Sequence, residues 1–408
     1  MIDILRKNKV NAGFYIIFSA VALTNLLAII LGKGMSTLTD ILMILSVLLI
    51  LNFSNIRIQY MSKPFFSLCL YFIYTIIYAV FAEYSFLHGP GAIIFTVFNI
   101  VIIVALQSVD EWTGKDTFCE FGFYVFGFIS IYTCYVLSDG FTNIGAHINS
   151  VYGMEGYMIA NRLSLSVIPM ISIFCCMAYN CKRRFDFLLK IIFTLISIFG
   201  VLIVNRRGLI IAIPIVFIVN ALTNARPLEI SKCTIIKFMG AFILVGVLAV
   251  TLYSIPEIRE KLLASIESAS NALLSLLGYS DVDVSGANRA EIRTKIYGEL
   301  ESFSVLNWLF GKGYMYVYMD FPLFQVLLDM GLIGVIFYSY FQLIIPIKFL
   351  FSNVDDPTGK FVKCYAVMSI LNLFYAGVPY GYEKFIGTVL LMFYTKKDTV
   401  SGDNNLLT

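Results

Sequence analysis

The sequence predicts an all-α, polytopic membrane protein, from its composition, its recurring apolar runs and the placement of its basic residues. Hydrophobic residues make up 59% of the 408 positions and charged residues only 13%, and the mean hydropathy is +0.84. Soluble domains carry about 25% charged residues. Apolar runs long enough to cross about 30 Å of hydrocarbon recur along the whole chain. We therefore expect one membrane-embedded domain, residues 1–408.

The apolar runs predict about twelve transmembrane helices. The first run is too long for a signal peptide and lacks a small-residue cleavage site, so we expect it to remain as a span. The second, eighth and twelfth runs are short, and one of them is a candidate for a re-entrant segment. In chain order the predicted spans are Phe14–Leu31, Leu38–Phe53, Pro64–Phe81, Gly91–Gln107, Phe118–Leu137, Ile159–Tyr179, Phe187–Val204, Leu209–Leu222, Ile235–Tyr253, Phe321–Phe349, Phe361–Ala376 and Tyr382–Tyr394.

The basic residues predict how these spans are oriented. With the N-terminus inside, 18 Lys and Arg residues fall on the inner side, 5 in short outer loops and 6 in one long loop. Because the inner loops of membrane proteins are enriched in Lys and Arg, we expect both termini in the cytoplasm. The long loop, about residues 254–319 between the ninth and tenth spans, is then extracytoplasmic.

The long loop has a helical pattern of its own. Apolar residues in Pro256–Leu277 recur at helical spacing, which predicts an amphipathic helix on the membrane surface. After a turn-rich break, Arg289–Phe310 predicts a second helix, which ends at Gly311-Lys312-Gly313.

Several classes of function are disfavoured. The eight cysteines fall in spans or on the inner side, and no Cys/His spacing typical of a metal site occurs. The net charge is only +3, and no basic patch with interleaved aromatics suggests nucleic acid as a partner. Asp281-Val282-Asp283 has the form of a metal motif, but a solvated turn is its more ordinary role. We expect neither a metal nor a cofactor.

Two arginine clusters on the outer side are the main candidates for binding. Arg206 and Arg207 precede Gly208 at a tight turn between two spans, and Arg289 and Arg293 share one helix face. Arginine suits phosphate because its planar fork binds two oxygens and stays charged. The ordinary alternatives are an interface anchor for the first pair and a solvated face for the second.

Two carboxylates in or beside the tenth span are the main candidates for acid–base chemistry. Asp320, at the outer boundary, is placed to accept a proton from a hydroxyl, and its alternative role is a helix N-cap. Asp329 lies deeper, where a charged group is costly and usually functional or paired. Glu291 and His147 are further candidates for the base.

The order of the motifs resembles a known family over about residues 200–340. The motifs are Asn205-Arg206-Arg207-Gly208, Arg289 with Arg293, Trp308-Leu309-Phe310-Gly311-Lys312-Gly313, Asp320-Phe321-Pro322-Leu323-Phe324-Gln325 and Asp329-Met330-Gly331-Leu332-Ile333-Gly334. In order and membrane placement they resemble the Wzy-type polysaccharide polymerases and, more distantly, the O-antigen ligases. Ligases carry a His-Asn pair where this chain has Asp320-Phe321, which is a departure from their pattern.

The resemblance implies a GT-C-like helical fold and a glycosyltransferase in the bacterial cytoplasmic membrane. It implies that undecaprenyl-diphosphate-linked oligosaccharides are polymerised at the outer face into a surface polysaccharide. Arg206, Arg207, Arg289 and Arg293 would bind the diphosphates, Arg207 and Arg289 acting in catalysis with Asp320 as the base. Membrane lipids, a chain-length regulator and a flippase of the same pathway are the other expected partners.

Three other interpretations stay open. One is an O-antigen-ligase-like glycan transferase, and one is a lipid-linked oligosaccharide flippase or secondary transporter. Transporters usually show repeated halves, and residues 1–200 do not visibly repeat in residues 201–408. The third is a membrane scaffold without catalysis.

Overall fold

The computed structural model describes most of the predicted spans and part of the long loop. The described residues are 2–31, 36–52, 63–81, 90–109, 114–137, 162–204, 207–223, 284–314, 321–352, 356–375 and 379–380, with single positions at 316, 354 and between 254 and 274. Across these ranges every regular element is a helix. The all-α prediction is therefore confirmed for this part of the chain.

At least one described helix lies at each predicted span except Ile235–Tyr253 and Tyr382–Tyr394, which lie outside the described residues. The first helix begins at Ile2, well before the predicted Phe14. The described helices are α1 (Ile2–Leu31), α2 (Ser36–Ile50), α3 (Lys63–Phe81), α4 (Pro90–Gln107), α5 (Lys115–Leu137), α6 (Arg162–Ala178), α7 (Arg184–Val204), α8 (Arg207–Thr223), α9 (Val284–Glu301), α10 (Val305–Phe310), α11 (Pro322–Ser339), a wider π-helical turn (Tyr340–Ile344), α12 (Ile345–Leu350) and α13 (Pro357–Tyr375).

Within the described residues, three helical stretches are long and apolar enough to cross a membrane. They are Thr117–Tyr135, Arg184–Leu202 and Pro322–Leu350, the last formed by α11, the π turn and α12 together. Shorter apolar stretches lie at Thr37–Ile50, Pro64–Tyr78, Val97–Gln107 and Ile168–Ala178. These helices are compatible with a membrane protein, whereas the number of spans stays a prediction.

The helices α5, α6 and α7 pack together around a small polar cluster. The Ser197 hydroxyl shares hydrogen bonds with the hydroxyls of Ser130, at 3.1 Å, and Ser172, at 2.8 Å. Each serine comes from a different helix, and all three are buried. Small hydroxyl residues of this kind let apolar helices approach closely while their polar atoms stay paired.

The helix α11 lies against α3 through aromatic side chains. Tyr338 of α11 and Tyr71 of α3 have ring centroids 6.2 Å apart, and Phe341 of the following π turn lies edge-on to Tyr71 at 6.0 Å. All three residues are buried. This contact fixes α11, which carries Asp329, within the helical core.

The prediction of one helix over Arg289–Phe310 is wrong, because α9 ends at Glu301 and α10 begins at Val305. Ser304 causes the restart: its hydroxyl oxygen accepts a hydrogen bond from the Asn307 N–H at 3.2 Å, as an N-cap does. The predicted stop is confirmed, since Gly311 is the C-cap of α10. In the segment Pro256–Leu277, the positions that the structure describes are helical, in agreement with the prediction.

Candidate functional site

The helix α11 is broken at Gly331, two residues after the candidate carboxylate Asp329. Gly331 has φ 64° and ψ −163°, which is far from helical geometry. A left-handed φ of this kind strongly favours glycine. The break turns the backbone carbonyls of the preceding turn away from the next one.

The loop Gly311–Gly313, which lies outside α11, donates hydrogen bonds to two of those carbonyls. The Lys312 N–H donates to the Leu328 carbonyl at 2.7 Å, and the Gly313 N–H donates to the Asp329 carbonyl at 3.1 Å. In a continuous helix these carbonyls would accept from N–H groups four residues further on. The Gly311–Gly313 loop therefore stands in for the missing turn.

Two glycines permit this approach, and neither tolerates a larger residue. A Cβ on Gly311, where φ is 77°, would lie 2.3 Å from the Asp329 carbonyl carbon. A Cβ on Gly331 would lie 2.4 Å from the Leu309 carbonyl carbon. Each glycine is thus pressed against the backbone beside the other, and we call this contact the glycine clasp.

Asp329 lies at the clasp and is fully buried. The Gln325 side-chain amide donates to both carboxylate oxygens, at 2.9 and 3.0 Å. The Tyr380 hydroxyl donates to Oδ2 at 2.7 Å, and the Tyr316 backbone N–H donates to Oδ1 at 3.2 Å. Such donors offset the large cost of removing a carboxylate from water. Asp329 thereby joins α11 to two separate loop segments.

Tyrosines surround this carboxylate. The rings of Tyr314 and Tyr380 lie 4.7 Å apart, and both residues are buried. Burial, followed by the nearby Asp329 charge, raises the pKa of Tyr314 to about 12. The same two causes raise the pKa of Tyr380 well above its ordinary value. Both phenols therefore keep their protons at neutral pH, and Tyr380 remains a donor to Asp329.

Lys312 ties the clasp to the end of α9. Its ammonium forms an ion pair with Glu299 and lies 3.4 Å from the Ser302 hydroxyl. It also lies over the rings of Phe303, at 5.4 Å, and Tyr316, at 5.1 Å. The bond with Glu299 is the main cause that raises the pKa of Lys312. Its charge is thus held at a fixed place beside the clasp.

The helix α9 packs on α11 next to Asp329. Ile296 of α9 and Leu328 of α11 are both buried and form one apolar cluster. The cluster is completed by Ile292, Leu300, Phe303, Phe321 and Phe324. The helix predicted to carry the binding arginines therefore lies against the helix that carries the buried carboxylate.

The structure describes the backbone, but not the side chains, of three of the four predicted arginines. Arg289 and Arg293 are residues of α9, in register with Ile296 and Leu300 at spacings of four, three and four. Arg207 is the first residue of α8. The side chains of these three arginines, and the whole of Arg206, lie outside what the structure describes. Their role at diphosphates stays a prediction.

Of the predicted bases Asp320, His147 and Glu291, only Glu291 lies among the described residues. Asp320 and His147 lie outside the described residues. The N-cap of α11 is Phe321, followed by Pro322 in the first turn, so Asp320 precedes the cap position. Glu291 is exposed and pairs with Lys295 at 2.9 Å, which lowers its pKa. That pairing makes Glu291 a poor proton acceptor.

Sequence reasoning missed the partners of Asp329. Gln325 lies four residues before Asp329 on one helix face, a spacing that was available as a signal. Tyr380 lies 51 residues further along the chain, and no local pattern marks it. The buried Asp329 carboxylate, with these donors, can hold one negative charge or one proton in the interior of the protein.

Comparison of the chain with protein-family models, with curated proteins and with solved structures found no match. Among the described residues, no group of three or more His, Cys, Asp or Glu side chains is arranged to hold a metal ion.

Proposed function

We propose that the chain is a glycosyltransferase that polymerises lipid-diphosphate-linked oligosaccharides at the outer face of the cytoplasmic membrane. One observation carries the proposal: α9, with Arg289 and Arg293, packs through Ile296 on Leu328, the residue before the buried Asp329. Cations for a diphosphate and carboxylates for a hydroxyl proton are the groups that this transfer needs, and they belong to adjoining elements.

The proposed reaction balances without a nucleotide or an oxidant. A hydroxyl of the acceptor glycan attacks the anomeric carbon of the donor, and a glycosidic bond forms as the bond from that carbon to the diphosphate breaks. The leaving lipid diphosphate takes the electron pair, and arginines offset its charge. The hydroxyl proton passes to a carboxylate, for which Asp320 is our proposed base.

Asp329 has a different proposed role, as a positioning residue. It is fully buried and its carboxylate already accepts bonds from Gln325, Tyr380 and the Tyr316 N–H. Tyr316 precedes Asp320 by four residues. By holding this N–H, Asp329 sets where the chain enters the segment that carries the base.

The test is elongation by the purified protein in nanodiscs, with lipid-linked repeat units as the only substrate and EDTA present. We expect a ladder of lengthened glycans. Asp320→Asn should stop elongation while lipid-diphosphate binding survives. Asp329→Asn should slow elongation with a changed KM, because it shifts the loop, while Glu291→Gln, which removes an exposed paired carboxylate, should behave as wild type.

Two outcomes would contradict this proposal. Lengthening that strictly requires an added divalent metal would exclude a mechanism in which arginines alone stabilise the leaving group. Unchanged elongation by Asp320→Asn would move the base elsewhere, and Asp329 would be the next carboxylate to test.

A transporter is the second candidate, because a buried carboxylate beside a helix break within an apolar stretch is also typical of substrate or ion sites in transporters. Proteoliposomes separate the two functions. A transporter moves the lipid-linked oligosaccharide across the bilayer and leaves its length unchanged, and Asp329→Asn would abolish that movement. A polymerase lengthens the glycan on one side.

A further inference from the structure

The short helix α10, Val305–Phe310, presents an apolar surface that the rest of the described chain does not cover. It contains no buried residue. Its apolar side chains are 38–77% exposed, and they are Val305, Leu306, Trp308, Leu309 and Phe310. Exposed apolar surface grouped in this way marks a contact with a partner or a membrane.

This surface is held in a fixed place rather than displayed by a loose segment. Ser304 caps the start of α10, and the Gly311 N–H closes its end on the Asn307 carbonyl at 2.7 Å. The glycine clasp then presses the Leu309–Phe310 backbone onto Gly331. The exposure of α10 is therefore built into the fold.

The apolar surface continues onto α11. Leu332 follows Gly331 directly and is exposed, and Ile336, one turn further, is 67% exposed. Both belong to the stretch Pro322–Leu350, which is long and apolar enough to cross a membrane. The clasp therefore holds α10 beside the exposed apolar residues of α11, Leu332 and Ile336, which begin directly after Gly331.

We propose that α10 is an interfacial helix whose Leu306, Trp308, Leu309 and Phe310 are covered by membrane lipid. The apolar surface of α10 is continuous with the exposed residues of α11, which belong to a candidate membrane span. Lipid that covers α11 would therefore cover α10 as well, and this favours lipid over a second copy of the chain. Tryptophan is enriched at the boundary between headgroups and acyl chains. Through the clasp, α10 would fix the depth of Asp329 in the membrane.

This inference does not depend on the proposed reaction, and tryptophan fluorescence tests it directly. The chain has two tryptophans, so Trp112→Phe leaves Trp308 as the only one. In nanodiscs that hold one copy each, we expect blue-shifted emission and loss of most of it when brominated lipids replace the ordinary ones. Acrylamide in the water should quench it weakly. Trp112→Tyr gives a second route to the same probe.

Two control probes, each with both native tryptophans replaced by Phe, bracket the result. Tyr297→Trp places the probe on the exposed polar side of α9, next to Thr294 and Glu301, where acrylamide should quench it strongly. Tyr132→Trp places it on the exposed side of the long apolar helix α5, where brominated lipid should quench it.

Trp308 should match the Tyr132→Trp probe. If it matches the Tyr297→Trp probe instead, α10 faces water and the proposal is overturned. Protection of Trp308 from acrylamide only when two copies share a nanodisc would identify the surface as a dimer contact, which also overturns it.

Discussion

At the scale of single residues, Tyr380 makes the longest-range contribution to the candidate site. It reaches across 51 residues of sequence to donate to the Asp329 Oδ2 atom at 2.7 Å. A hydrogen bond to a charged acceptor is worth about 1.5–3 kcal/mol. The bond is short and buried, so its loss should be easily measured.

We predict that Tyr380→Phe lowers the free energy of unfolding by about 1.5–3 kcal/mol, because it leaves a carboxylate oxygen short of a donor. Tyr314→Phe is the matched control. Its ring is tilted against that of Tyr380, with centroids 4.7 Å apart, and its hydroxyl makes no hydrogen bond within the described residues. Thermal unfolding of both variants in one detergent measures the difference. Equal losses would mean that removal of a buried hydroxyl as such, and not of the bond to Asp329, carries the effect.

A second prediction at this scale concerns the arginines. Arg207→Ala and Arg289→Ala should each abolish polymer while the protein still inserts, and Lys at either position should work poorly because a point charge cannot reproduce the guanidinium fork. Lys295→Ala is the control, since Lys295 is an exposed cation on α9 paired with Glu291. Polymer length on gels measures the outcome. Long polymer in both alanine variants would mean that Arg207 and Arg289 do not act in catalysis.

At the scale of elements, the glycine clasp couples α10 to α11, and with them the long loop to Asp329. Neither glycine is replaceable by a residue with a Cβ, for two separate reasons. The left-handed φ of each costs a substituted residue about 1–2 kcal/mol, and the opposing backbone lies within 2.4 Å of the new atom. Backbone, unlike a flexible side chain, does not give way cheaply.

We predict that Gly311→Ala and Gly331→Ala each destabilise the protein by about 2 kcal/mol or more. Gly298→Ala is the control, because Gly298 lies in α9 with nothing within 4 Å of an added Cβ. It should raise stability by about 0.5–1 kcal/mol, as alanine favours helix over glycine. Unfolding midpoints rank the three variants. A harmless Gly331→Ala would show that the clasp does not hold α10 on α11.

At the scale of the whole molecule, the sequence predicted the helices far better than it predicted the centre between them. Long apolar runs and turn residues are local signals, and the bounds of α3 and α5 lie within a few residues of the predicted spans. The N-cap that divides α9 from α10 was missed, although Ser304 is a strong N-cap type. There, apolar residues on both sides masked the restart.

The candidate site was less predictable because its contacts are long-range. Asp329 stood out as a charge within an apolar run, but its donors come from α11, from the loop at Tyr316 and from Tyr380. The break at Gly331 is likewise set by the loop packed against it, since glycine alone does not require a left-handed φ. Such pairings depend on the folded topology and leave no periodic pattern in the sequence.

The last prediction concerns the side of the membrane on which the long loop lies. The Lys and Arg distribution predicts that Ser285, the second residue of α9, lies outside and that the segment before α7 lies inside. Cys181 is a native reporter for the side predicted to be inner, because it is exposed, whereas the six other described cysteines are buried. Labelling with a membrane-impermeant maleimide therefore reports on which side Cys181, and a cysteine introduced at position 285, are accessible.

In spheroplasts, wild-type protein should stay unlabelled until detergent exposes Cys181, because the reagent does not cross the membrane. The double variant Ser285→Cys, Cys181→Ser should be labelled at once, before any detergent is added. Mass spectrometry of the labelled peptide identifies the cysteine in each case. Labelling of Cys181 in intact spheroplasts, with none at position 285, would invert the topology. An inverted α9 would present Arg289 and Arg293 to the cytoplasm, so polymerisation at the outer face would then have to be abandoned.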